Sequence, residues 1–116
     1  MELTDLETFG LPLAEVNGDL RLMLAEHLDY YEQMLSTIWL ADVARWCADQ
    51  FLAGNLTGVT DVLSVMERLW ANGSEGQRNT IGVGFVEGLP SPSEPAAAIR
   101  TVLGPSLTAV YEQVNS

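Results

Sequence analysis

The sequence predicts an all-α fold, a compact bundle or stack of about five to six short antiparallel helices forming one domain over 1–116. Three observations lead there. Apolar residues recur every three or four positions through most of the chain, the period of a helix with one buried face. Glycine, asparagine and proline fall between those runs, where helices stop and start. The 116 residues, 47% of them hydrophobic and three of them tryptophan, suffice for one buried core without disulfides, and are too few for two ordinary domains.

Taken in order, Thr4 followed by Glu7 has capping-box spacing. It predicts a short helix within residues 1–11, a loosely attached N-terminal segment that Gly10 and Pro12 then interrupt. Leu13, Val16, Leu20, Met23, Leu24, His27 and Leu28 make the next apolar stripe. Asn17-Gly18 weakens its first turn, so its firm part begins near Asp19, and Asp29-Tyr30-Tyr31 marks its end. The third segment, from about Met34 to Ala53, is the richest. Trp39, Val43, Trp46 and Gln50 trace one line and Leu40, Val43, Cys47 and Phe51 the adjacent one, the wide apolar face of a central helix. On the other side Arg45 has Asp42 three residues before it and Asp49 four after, spacings that pair on a helix. Gly54-Asn55 is a stop.

A helix from about Thr57 to Ala71 follows, carrying Val59, Val62, Leu63, Met66, Leu69 and Trp70. Asn72-Gly73 ends it and Ser74 offers the next N-cap. Residues 75–89 are ambiguous by pattern. Ile81, Phe85, Val86 and Leu89 suit a helix, but Gly82, Gly84 and Gly88 each cost one about 1 kcal/mol against alanine. The run 81–86 also reads as a strand, which would have no partner here. The prediction is a helix whose glycines lie at a close helix contact. Pro90 and Pro92 make a connector. Ser93 and Pro95 open a short helix to about Leu103, Gly104 ends it, and Pro105-Ser106 start a last one with Leu107, Val110, Tyr111 and Val114.

Charge narrows the partners. Sixteen acids face five arginines and no lysine, for a net charge of −11. Nucleic acid and anionic membranes would repel such a surface, so neither is an expected partner; a basic protein would meet a favourable field. No run approaches the roughly 20 apolar residues of a transmembrane helix. The start MELTDLETFG lacks the basic and apolar regions of a signal peptide. With Cys47 as sole cysteine, these features predict a cytoplasmic protein.

The chemistry-bearing residues are sparse. One histidine and one cysteine match no zinc spacing, and the acids show no calcium-loop pattern. Cys47 lies in the tryptophan-bearing apolar face and reads as core. Gly82-Val83-Gly84 with Gly88 lacks both the spacing and the preceding strand of a dinucleotide loop. Neither a metal nor a cofactor is expected, and His27 reads as a partly buried structural residue. An enzyme would have to use His27 or a carboxylate pair in a deep pocket.

Trp39-Leu40-Ala41-Asp42-Val43-Ala44-Arg45-Trp46, then Asn79 to Leu89 and Leu103-Gly104-Pro105-Ser106-Leu107, resemble a family of small bacterial helical domains of uncharacterised function, over residues 13–110. The glycines at 82, 84 and 88 depart from its pattern, which has bulkier or polar residues there. Members look like proteins encoded beside bacterial toxins, some of them immunity proteins. The resemblance implies a non-enzymatic toxin inhibitor. With the acidity it predicts a basic toxin or effector as partner, held by Asp19, Glu26, Asp29 and Glu32 with Tyr30 and Tyr31 as aromatic anchors. The alternative is a homo-oligomeric adaptor or structural domain, a homodimer in its simplest form.

Overall fold

The computed structural model describes residues 3–116, and the fold is all-α. A π-helical turn, Leu6–Gly10, runs directly into α1, Leu11–Val16. Then come α2 (Gly18–Tyr31), α3 (Ser36–Leu52), α4 (Leu56–Ala71) and α5 (Glu75–Ile81), the last continuing through a second π-helical turn, Gly82–Val86. A 3₁₀ segment, Pro95–Val102, leads to α6, Pro105–Val114.

The boundaries follow from local chemistry. Thr4 and Glu7 form the predicted capping box: the Glu7 carboxylate accepts from the Thr4 N–H at 3.1 Å, and Thr4 Oγ1 accepts from the Glu7 N–H at 3.2 Å. The Thr4 N–H, and after it the Thr4 hydroxyl, which donates to the same carboxylate at 3.0 Å, hold the Glu7 carboxyl below its ordinary pKa. Asn17 has extended backbone and accepts from the Leu20 N–H at 3.1 Å, so it separates α1 from α2 as an N-cap. Asn55 does the same for α4 through the Gly58 N–H, and Ser74 with Gln77 forms a complete box on α5. Glu32 in the left-handed region (φ 58°) ends α2, and Gly54 (φ 88°) follows α3.

Gly10 and Pro12 do not interrupt the first helix. The Leu11 N–H bonds back to the Leu6 carbonyl, an i→i−5 step immediately before the proline. The widened turn accommodates a residue that cannot donate and whose ring crowds the preceding turn. Nor is this segment loosely attached. Phe9 and Gly10 are buried, and the Trp39 indole N–H donates to the Phe9 carbonyl at 2.9 Å.

Helix α3 is the centre of the molecule. Trp39, Leu40, Val43, Ala44 and Cys47 are wholly buried. Around α3 pack the N-terminal turn, α2, α4, α5 with its π-turn, and the 3₁₀ segment. Gly84 and Gly88 let the second π-turn close on it: a Cβ on Gly84 would stand 3.0 Å from Leu40 Cβ, and one on Gly88 3.1 Å from Ala44 Cβ. Gly82, expected at the same contact, has nothing within 4 Å. Helix α6 is tied down by three long-range hydrogen bonds. The Glu67 carboxylate of α4 accepts from the Ser106 and Leu107 N–H groups at 2.7 and 3.1 Å, charge-matched to a helix N-terminus. The Tyr111 hydroxyl donates to the Pro90 carbonyl at 2.6 Å.

Candidate functional site

The six residues predicted to hold a partner are not all equivalent. Asp19, Glu26 and Tyr30 are spaced seven and four apart, which puts them on one outward stripe of α2; all three are exposed. Asp29 is exposed too, but its position turns it away from that stripe. Glu32 lies past the helix, in the left-handed turn. Tyr31 is half-buried, with its ring 4.8 Å from that of His27 and 4.7 Å from that of Tyr30. Asp19 is partly committed, because its Oδ2 accepts the Trp46 indole N–H at 3.1 Å.

That bond shows what the stripe faces. Met23 and Glu26 of α2 meet Asp42, Arg45, Trp46 and Asp49 of α3 around a shallow groove of about 320 Å³. Met23 and Trp46 give it an apolar floor, and Glu26, Asp42 and Asp49 give it an acidic rim; Asp19 does not line it and is joined to it through Trp46. Arg45 pairs with Asp42 at 3.5 Å, the one ion pair among the described residues, and forms none with Asp49. Exposed Leu22, Ile38 and Leu52 stand on the same two helices. Sequence reasoning singled out Asp42, Arg45 and Asp49 as an ion-pair line but did not place them in the site. Their spacing marks one face of α3, whereas the neighbour that face meets is a tertiary fact.

The buried titratable groups behave differently. His27 is 5% exposed and lies inside the α2–α3 corner. Burial lowers its pKa, against the opposing pull of Asp42. Cys47 is buried, and burial pushes its thiol up to about 12, so it is a neutral core side chain at ordinary pH. Among the described residues, no three His, Cys, Asp or Glu side chains converge as ligands for a metal ion. None of the described helices is long and apolar enough to cross a membrane.

The family model for a domain of unknown function, DUF7674, matches residues 12–116. The chain belongs to the DUF7674 family. No curated protein and no solved structure matches it. The match begins at Pro12 and so takes in the whole α2–α3 face of this DUF7674 domain.

A second surface contrasts with the acidic one. Half-buried Trp70 and exposed Val83 and Val114 line an open groove of about 690 Å³, with Arg78 beside Glu75 and Glu87. The Arg78 guanidinium carbon lies 5.5 Å from the Trp70 ring centroid, and its Nε donates to the Trp70 carbonyl at 2.9 Å. Trp70, at the end of the apolar series of α4, is therefore partly a surface residue covered by a cation.

Proposed function

We propose that this DUF7674 domain is a non-enzymatic binding protein that holds a basic protein partner along the α2–α3 face. An inhibitor or immunity protein covering a basic toxin is the form of this reading that the sequence resemblance favours. One observation carries it: the solvent-facing groove has an apolar floor of Met23 and Trp46 inside a rim of carboxylates whose sole cation, Arg45, is already paired. A cationic side chain with an aliphatic stem matches both features, the stem lying on the floor and the charge at the rim. Exposed Tyr30 at the upper end of the stripe adds an aromatic anchor. The net charge of −11 supplies a long-range field that steers such a partner.

The test is affinity capture from the native cell with tagged protein at low and moderate salt, followed by association kinetics with the partner recovered. The double reversal Glu26→Lys and Asp49→Lys is expected to slow association by about tenfold or more and to flatten its salt dependence. Asp19 is left intact because changing it also disturbs Trp46. A captured partner whose association ignores both reversals would remove this face from the interface.

The homo-oligomeric adaptor has one observation in its favour. The Trp70, Val83 and Val114 surface carries Arg78 together with Glu75 and Glu87, opposite charges that two copies can exchange across a two-fold axis. Sedimentation distinguishes the readings: a dimer at micromolar concentration, broken by Val83→Glu, would favour the adaptor.

A further inference from the structure

The same corner of the molecule contains a group that the binding reading does not use. His27 faces inward from α2, about a quarter-turn round the helix from the acidic stripe. Its Nε2 accepts the backbone N–H of Leu35 at 3.0 Å. Leu35 is the residue from which α3 starts, and its own side chain supplies no cap. The imidazole thus does what the N3 glutamate does in a capping box, but from the preceding helix. It ties the start of α3 to α2 across the turn at Glu32.

An accepting Nε2 fixes the neutral ring with its proton on Nδ1. Nδ1 is buried and has no hydrogen-bond partner. The rings packed around it are Tyr31, at 4.8 Å, and Trp39, at 6.0 Å. A second proton would set donor against donor at Leu35 and leave a charged ring without a hydrogen-bonded counterion. The charged groups nearby do not remedy this. Asp42 of α3 favours the protonated ring but is outweighed by burial. Glu26 and Asp29 on its own helix are exposed to water. Asp5, brought by the N-terminal turn, is engaged by the Ser36 hydroxyl at 3.0 Å.

We propose that His27 is a pH-sensitive catch: neutral, it holds Leu35 and closes the α2–α3 corner; protonated, it releases Leu35 and the corner opens. In the open corner the ring regains its ordinary pKa of about 6.5, while in the closed corner the value is lower. The closing contribution is therefore complete above about 6.5 and is lost as pH falls from there through the closed-state value. Within that window the open population rises by up to about tenfold per pH unit. The catch stands on this geometry alone. Its consequence, release of a partner from the α2–α3 face in mild acid, rests on the binding reading above.

His27 is the chain's single histidine, so its imidazole resonances titrate without overlap in an NMR experiment on the full chain. The expected midpoint lies below about 6.5. Between pH 7 and pH 5 the hydrogen-exchange protection factor of the Leu35 amide, corrected for the intrinsic rate, is expected to fall by up to about tenfold per unit within the window. Val62 in α4 is expected to fall much less. His27→Gln offers an acceptor oxygen that does not titrate, and its Leu35 protection is expected to stay flat. A midpoint at or above the ordinary value, an unchanged Leu35, or a fall shared equally by Val62 would overturn the catch; if the Gln variant does not fold, the wild-type titration and exchange decide alone. With a partner in hand, dissociation at pH 5.5 that is no faster than at pH 7, alongside a positive exchange result, would overturn only the coupling to release.

Discussion

Two buried indoles fix how the N-terminal part of the chain sits on α3, and each needs a partner for its N–H. Trp39 finds the Phe9 carbonyl at 2.9 Å and Trp46 finds the Asp19 carboxylate at 3.1 Å. The second bond has the larger consequence, because it uses a charged acceptor on the proposed binding stripe. Trp46 is only 8% exposed, so losing the acceptor leaves a buried donor unsatisfied. Asp19→Ala is expected to cost about 1.5–3 kcal/mol in urea unfolding, and Trp46→Phe a comparable amount from the other side. The double variant is expected to fall short of their sum by about 1 kcal/mol, the mark of one shared bond; strict additivity would show that the bond contributes nothing. Asp19 was legible in the sequence as an acid on an outward stripe. Its bond to a tryptophan 27 positions away was not, since nothing local to either residue encodes the meeting of α2 and α3. His27 was legible as a structural residue on the apolar stripe, whereas its hold on Leu35 depends on how the chain turns at Glu32.

Helix ends were the most readable features, because they are set within three or four residues. Ser74 and the Thr4–Glu7 box cap as their spacing predicts, and Asn55, read in the sequence as part of a stop, also caps the start of α4. The errors arose where packing overrides propensity. Pro12 reads as a breaker, yet an i→i−5 turn absorbs it and a buried Phe9 holds the segment in place. The glycines of the fifth segment show both outcomes. Gly84 and Gly88 sit at the predicted close contact, against Leu40 and Ala44, whereas Gly82 is helical (φ −60°) with open space where a Cβ would go. The two classes respond oppositely to alanine. Gly82→Ala is expected to stabilise by about 0.5–1 kcal/mol through helix propensity alone. Gly84→Ala must move α3 backbone at Thr37, 3.0 Å away, and is expected to destabilise by about 1–3 kcal/mol. Paired denaturant midpoints check this; equal shifts in one direction would mean that the π-turn does not bear on α3 as described.

At the scale of the whole molecule, the dominant fact is a net charge of −11 with a single ion pair, Arg45–Asp42, among the described residues. The free protein therefore works against its own charge, since sixteen acids have five arginines to answer them. Screening should relieve that strain. Raising sodium chloride from about 20 to 300 mM shortens the Debye length to below 10 Å and is expected to stabilise the free chain by about 1 kcal/mol, a rise in Tm of about 4 °C. The same salt is expected to weaken a complex with a basic partner, because it screens the attraction that brings the two together. Opposite signs for stability and association are the signature of a surface whose acids serve recognition at the expense of the fold. Thermal melts and association rates across one salt series measure both. If Tm is flat or falls, the acids are spaced or compensated well enough that charge is not a burden. If association is also indifferent to salt, the net charge plays no part in recognition, and the partner would have to be held by Tyr30 and the Met23–Trp46 floor alone.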